Sequence, residues 1–234
     1  MGSAAVVPPP SSAFKRLYHL TSAEHAISDI VFRRLKVAQL NQLNDPFELL
    51  AARFLNNSGI RSAVTSYKDK LAREYGLLCF SEDWTDPVLW THYGARHKGI
   101  CLGFDVPAGL AEKVQYQENR IVVEGAKIDE PLERKLLTTK YKSWQYEKEW
   151  RVPVLLKDAI IEEGINFERI GDRIHLAEVI LGARCSASAN DVRRVVDMHH
   201  ANVVTFQARL AHGSFNIVPL ETTTPRSASP NHIR

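Results

Sequence analysis

The segment KSWQYEKEWRVPV sets Glu147, Glu149 and Arg151 at alternate positions. In an extended chain, residues i, i+2 and i+4 share a face. Two carboxylates and a guanidinium are then expected side by side, with Lys148, Trp150 and Val152 facing away. Carboxylates that share a pocket can move a proton or stabilise a developing cation. On an exposed strand edge the same residues form a salt bridge from Glu149 to Arg151 or Lys142, which is worth little. His19, in LYHLTS, shares a face with Leu17 and Thr21, while Tyr18 and Leu20 take the other. A ring so placed is partly withdrawn from water and can bond a ligand hydroxyl or the backbone. WTHYGARHKG carries Trp90, His92, Tyr93 and His97. Helical spacing puts Trp90, Tyr93 and His97 on one face, as a core stripe or a platform for a planar ring. LNQLNDPFE reads as an Asx turn at Asn44, Asp45 and Pro46, with Glu48 after it, or as a pocket rim.

Several chemistries lack their residues. The chain has no GxGxxG, Walker loop, HExxH or GxSxG, which removes the simplest readings as dinucleotide fold, P-loop enzyme, zincin or serine hydrolase. Cys79, Cys101 and Cys185 are odd in number and widely spaced, so structural thiols in a reducing, cytoplasmic setting are expected rather than disulfides or a metal site. A net charge of +3 is too small to indicate nucleic acid by itself. No apolar run is long enough for a transmembrane helix, and no membrane partner is expected.

The elements that must position these residues follow from periodicity. The composition, 44% apolar and 24% charged over 234 residues, is that of one globular domain. It is expected over residues 14–221, between a disordered leader at 1–13 and a disordered tail at 222–234. KRLYHLT is a strand, followed by a helix capped by Ser22. LKVAQL begins as a strand and ends in the Asn-Asp-Pro turn. IRSAVTSYKDKLAREYG predicts an amphipathic helix stopped by Gly76. LLCFSED is a buried strand, and Asp86 with Pro87 opens a short helix. Strands follow at ICLGFDV and KVQYQ, a helix from about Glu130 to Lys142, and strands at WRVPVLL and HLAEVILG, the latter ending at Gly182. Pro153 points to an edge or a bulge. SANDVRRVVDMHHA is a helix, and NVVTFQARLAH with FNIVPL form a closing pair of strands. This irregular mixture, with short connections between strands, predicts α+β with a mainly antiparallel, curved or split sheet and flanking helices.

Taken in order, LYHLT, LNDPFE, LLCFSED…PVLWTHYGARHKGICLGFDV, KSWQYEKEWRV and EVILGARC resemble the bacterial domain-of-unknown-function family 2971, over Leu17 to Cys185. The Tyr-His-x-Thr strand followed by a helix also resembles the opening of the histidine-type ADP-ribosyltransferases. That second resemblance implies an ADP-ribosyltransferase-like fold, NAD as substrate and no metal. It implies a first-strand histidine on the NAD ribose (His19, assisted by Thr21) and an aromatic on nicotinamide (Tyr93). A late-strand glutamate, Glu149, would face the ribose 2′-hydroxyl, supported by Glu147 and Lys142. Asn44, Ser81, Trp90, His92 and Arg151 complete the expected cofactor contacts. The acceptor would be a macromolecule, protein or nucleic acid, as for a toxin or defence effector. The residues leave two other classes open. One is a non-enzymatic binding or signalling module. The other is a metal-independent nuclease using His19, His92, Glu149, Lys142 and Arg151. On a polar strand face, Glu149→Gln is expected to lower turnover and leave stability nearly unchanged.

Overall fold

The computed structural model describes residues 8–45, 47, 52–54, 67, 69–123 and 130–220. The expected disorder at 1–7 and 222–234, and the functional reading of Glu48, fall outside the described residues. In chain order the strands are β1 (Phe14–Thr21), β2 (Arg34–Lys36), β3 (Ala38–Gln39), β4 (Ala52–Phe54), β5 (Tyr75–Ser81), β6 (Ile100–Pro107), β7 (Glu112–Lys113) and β8 (Gln115–Gln117). Then come β9 (Ile121–Val123), β10 (Thr139–Tyr141), β11 (Glu149–Leu155), β12 (Ile160–Glu162), β13 (Ile165–Arg169), β14 (His175–Leu181), β15 (Val204–Leu210) and β16 (Ile217–Pro219). Helices span Ala23–Phe32, Pro87–His92, Glu130–Leu137 and Ala189–His199, and residues 69–74 are helical. The architecture is α+β, with a large, mostly antiparallel sheet.

The main sheet runs β16-β15-β14-β6-β1-β5-β11-β7, with β3 also on β5. Within it β14 and β15 are parallel, and the other pairs are antiparallel. Its middle is its weakest seam. β1 pairs with β6 from Phe14↔Pro107 to Thr21↔Ile100, and β11 pairs with β5 from Glu149↔Ser81 to Leu155↔Tyr75. Among the described residues, β1 meets β5 at one aligned pair, Tyr18↔Ser81. Two well-laddered halves therefore join at a point and part on either side of it.

Strand alternation sorts the core onto the two faces. Leu17, Leu78, Phe80, Leu102, Phe104, Val152 and Val179 pack beneath the helices Ala23–Phe32 and Ala189–His199. The opposite face carries two separate clusters. One gathers Leu20, Leu89, Trp90, Cys101 and Ile180; the other gathers Leu40, Leu71, Leu77 and Leu137. The gap between them lies over the seam.

Local sequence explains most boundaries. The side chains of Ser22, Asp86 and Ser188 accept bonds from His25, Val88 and Asp191 and so cap three helices. At Pro153, β11 is an edge, because β7 covers Trp150 and Arg151 alone. Three expectations need correction. Gly76 does not stop a helix, since β5 already starts at Tyr75. A Cβ at Gly76 would stand 2.3 Å from Val37 Cγ1, so the glycine lets β3 approach. The helix expected to reach Lys142 ends at Leu137, where β-branched Thr138 and Thr139 lead into β10. KVQYQ is two short strands in different sheets: β7 pairs with β11, and β8 runs parallel to β10.

Candidate functional site

A cavity of about 230 Å³ opens over the seam. Tyr18, His19 and Leu20 come to it from β1, and Cys79, Phe80 and Ser81 from β5. Leu43 and Asn44 close one side and Leu89 and Tyr93 another, while Lys140, Glu147 and Glu149 form its polar wall. His19, Tyr93 and Glu149, which arise from three distant segments, thus line one cavity.

His19 occupies the seam itself. Its Nδ1 lies 3.1 Å from the carbonyl oxygen of Cys79, on the strand that β1 has just left. A carbonyl accepts, so Nδ1 carries the proton in this bond. Burial lowers the imidazole pKa, against the opposing pull of the Cys79 carbonyl. The ring is therefore neutral at pH 7, and Nε2 keeps a lone pair. Of the two partners the sequence left open, the ring takes the backbone through Nδ1 and keeps Nε2 as an acceptor.

The polar wall is a chain of bonds. Asn44 Nδ2 donates to the Tyr93 hydroxyl at 2.6 Å, and that hydroxyl donates to Glu147 Oε1. Lys140 Nζ donates to Glu147 Oε2 at 2.6 Å and to Glu149 Oε2 at 3.2 Å. Arg151 grips Glu149 with two prongs, Nε to Oε1 at 2.9 Å and an outer nitrogen to Oε2 at 3.0 Å; its other nitrogen reaches the Leu137 carbonyl at 2.7 Å. The Glu149 N–H donates to the Tyr116 hydroxyl at 2.8 Å. Lys140, Glu147, Glu149 and Arg151 are all buried. They form two opposed charge pairs in a place where an unpaired charge is costly.

The two carboxylates differ. Burial raises the Glu147 pKa, and the bonds from Lys140 and Tyr93 counter this only in part. Burial also works on Glu149, but the charges of Arg151 and then Lys140 outweigh it and hold this carboxyl below its usual value. Burial, followed by the bond to Glu147, drives the Tyr93 phenol far upward, so it stays protonated.

Glu147 is not on the strand, as the alternation implied. It ends the 3-10 turn Lys142–Glu147, and Lys148 follows in the left-handed region at φ 45. That kink turns Glu147 back towards Lys140. Glu149 and Arg151 do share a strand face, as their two-pronged bond requires. The Glu149–Arg151 pair is deeply buried, so the small worth of an exposed edge salt bridge does not apply to it.

Other expected contacts stand away from the cavity wall. Trp90 is fully buried; its Nε1 donates to the Trp84 carbonyl at 2.6 Å and its ring stacks on His97, so it is core. The helix stops at His92, and the left-handed residues Ala95, Arg96 and His97 fold that second ring back over Trp90. His92 is exposed beyond Tyr93. Thr21 ends β1, opposite Ile100. Arg151, an expected cofactor contact, lies behind Glu149 and outside the cavity lining. Lys142 is exposed and pairs with Glu118. Ser81 does line the cavity, yet its hydroxyl is engaged with the backbone of Asp83 at the turn after β5.

Lys140 was missed. TTKYK offers two lysines two apart, and nothing in their spacing separates the buried one from the exposed one. The difference arises because β10 ends at Tyr141 and Lys142 opens the next turn.

A second charged cluster lies on the same face. Register carries a row across the sheet from Glu149 through Ser81, Tyr18 and Gly103 to Glu178. There Arg16 bonds Glu178 Oε1 at 3.0 Å and Asp105 Oδ2 at 3.2 Å. Glu178 Oε2 is buried without a hydrogen-bond partner. A Cβ on Gly103 would come within 2.9 Å of that oxygen and 3.1 Å of Tyr18 Cε1.

Among the described residues, no group of histidine, cysteine and acidic side chains is placed to hold a metal ion. The three cysteines are free, with Cys101 and Cys185 buried. No described helix is long and apolar enough to cross a membrane. No family model, curated protein or solved structure matches this chain.

Proposed function

We propose that this chain is an ADP-ribosyltransferase-like enzyme of the family its motifs resemble, and that the cavity takes the nicotinamide–ribose end of NAD. The observation that carries the reading is the convergence of His19, Tyr93 and the Lys140-bridged glutamates on one cavity at the sheet seam. Neutral His19 accepts a bond from a ribose hydroxyl through Nε2, and the Tyr93 ring offers a stacking face to nicotinamide.

When the C1′–N1 bond breaks, its electron pair leaves with nicotinamide and positive charge develops on the ribosyl ring. A carboxylate already in place lowers that barrier electrostatically. Of the pair, Glu147 is the one free to exchange. It gives up a neutral hydroxyl bond to Tyr93 and takes the same bond from a ribose hydroxyl. Glu149, gripped by Arg151, anchors Lys140 and through it the orientation of Glu147. A nucleophile on a macromolecular acceptor, or water, then attacks C1′ and loses its proton to solvent.

The test is incubation with NAD, reading free nicotinamide and label transferred to protein or nucleic acid. Nicotinamide release abolished in His19→Ala and Glu147→Gln supports the reading. Inertness towards NAD with breakdown of RNA or DNA would instead favour the nuclease. Inertness in both favours the binding module, which the fully partnered Glu149 carboxylate would suit.

A further inference from the structure

Trp144 belongs to none of the three apolar clusters. It sits half-buried in the 3-10 turn Lys142–Glu147, with the Lys140 ammonium 4.9 Å from its ring centroid. Its ring meets Tyr146 at 6.2 Å and 35°. Tyr146 meets His92 at 5.9 Å and 37°, and His92 meets Tyr93 at 6.2 Å and 43°. Four rings are thus linked in steps of about 6 Å with similar tilts, from Tyr93 at the cavity round to Trp144 over the Lys140 ammonium. Core packing accounts for Tyr93 and Tyr146, which lean on the cluster around Leu89 and Trp90. It does not account for exposed His92, and it leaves Trp144 with the Lys140 ammonium on one side and water on part of the rest. Leaving part of an indole in water forfeits burial that a polar residue in the same turn would not have offered.

We propose that this row is a base-stacking subsite, which holds the adenine end of the dinucleotide while the nicotinamide–ribose end lies in the cavity. The inference deepens the NAD reading and rests on it for the identity of the base. Ring faces recognise a heteroaromatic base without needing a fixed set of hydrogen bonds. Lys142, at the start of the same turn, supplies a cation for the diphosphate. Its pairing with exposed Glu118 is weak enough to exchange. The acidic neighbours argue against a long polyanion. Asp86 caps the helix that carries His92 and acts electrostatically on Tyr146, and Glu118 stands beside Lys142.

The experiment uses the full chain and etheno-AMP, a fluorescent adenine nucleotide, with binding read by anisotropy. Trp144→Ala is expected to weaken binding at least about tenfold, the scale of one lost stacking contact. Trp144→Phe should restore most of it, and the KM for NAD should rise in Trp144→Ala with little change in kcat. Binding that is indifferent to Trp144→Ala overturns the subsite. So does a single-stranded oligonucleotide that binds far more tightly than etheno-AMP and depends on Trp144. The two readings fail separately. Etheno-AMP binding through Trp144 without nicotinamide release keeps the subsite and removes the enzyme. Nicotinamide release with an unchanged KM in Trp144→Ala does the reverse.

Discussion

Two charged clusters lie on one face of the same sheet, at opposite ends of the row that joins Glu149 to Glu178, and they are built differently. At the cavity, two carboxylates meet two cations, and every carboxylate oxygen has a partner. At the far end, Arg16 serves both Asp105 and Glu178, and one Glu178 oxygen is buried alone. Carboxyls that face one cation and two respond in opposite senses, and Glu147, which faces Lys140 alone, goes with Glu178 rather than with Glu149. Arg151 and Lys140 overcome burial at Glu149 and lower its pKa, whereas burial outweighs Arg16 at Glu178 and raises it. Burial of an acid is therefore not what sets its charge; the count of cations facing it is. The cavity cluster can present a carboxylate at neutral pH because it carries its own counter-charge.

The sharpest way to break this contrast is to remove one cation from the balanced cluster. Arg151→Met leaves Glu149 buried with Lys140 alone, and should cost about 3–5 kcal/mol in urea unfolding. Glu149→Gln should also destabilise, by roughly 1.5–3 kcal/mol, the worth of bonds to a charged group. The near-neutral effect expected from sequence assumed a solvated strand face. A variant as stable as the parent would show that the network contributes nothing.

Next in size is Glu147→Gln, which keeps the Tyr93 bond and leaves Lys140 on Glu149. Nicotinamide release should fall on the order of a hundredfold, with a stability loss of roughly 1.5–3 kcal/mol from the weakened Lys140 bond. The acid limb of the parent should reflect the raised Glu147 pKa, so its turnover is lost at a pH above the ordinary glutamate value. If Glu149→Gln alone abolishes turnover in folded protein, the roles are reversed. At the other cluster, Gly103→Ala presses a methyl onto Glu178 and Tyr18, and should cost about 1–3 kcal/mol while leaving the Lys140, Glu147 and Glu149 bonds in place.

The smallest effect is expected for Glu178→Gln, within about 1 kcal/mol at pH 5. Its sign with pH is the informative part. A raised carboxyl pKa gives stability that is fullest below the unfolded value and is lost as pH rises through the folded one. Relative to the parent, Glu178→Gln should therefore gain stability from pH 5 to pH 8. Glu149 behaves oppositely: its depressed pKa stabilises above the unfolded value, and that contribution is lost as pH falls through the folded one. Unfolding curves at several pH values that moved the same way for both variants would erase the distinction.

The amino-acid sequence determined the elements whose cause is local. Ser22, Asp86 and Ser188 capped their helices, alternation in β1, β6 and β14 sorted the apolar side chains onto the two core faces, and Pro153 marked an edge. His19, Tyr93 and Glu149 came forward together through the resemblance of its motifs, since periodicity alone left each of them a bland alternative. Tertiary structure alone decided the rest. The seam depends on how far β1 and β5 stay paired, and neither strand encodes that by itself. The burial of the acid pair depends on β10 bringing Lys140 beneath it and on Lys148 turning left-handed to swing Glu147 inward. Trp90 became core rather than platform because three left-handed residues after His92 folded His97 onto it. Periodicity reports which face a side chain takes; what lies opposite that face, and how many counter-charges meet it, is fixed by contacts between segments far apart in the chain.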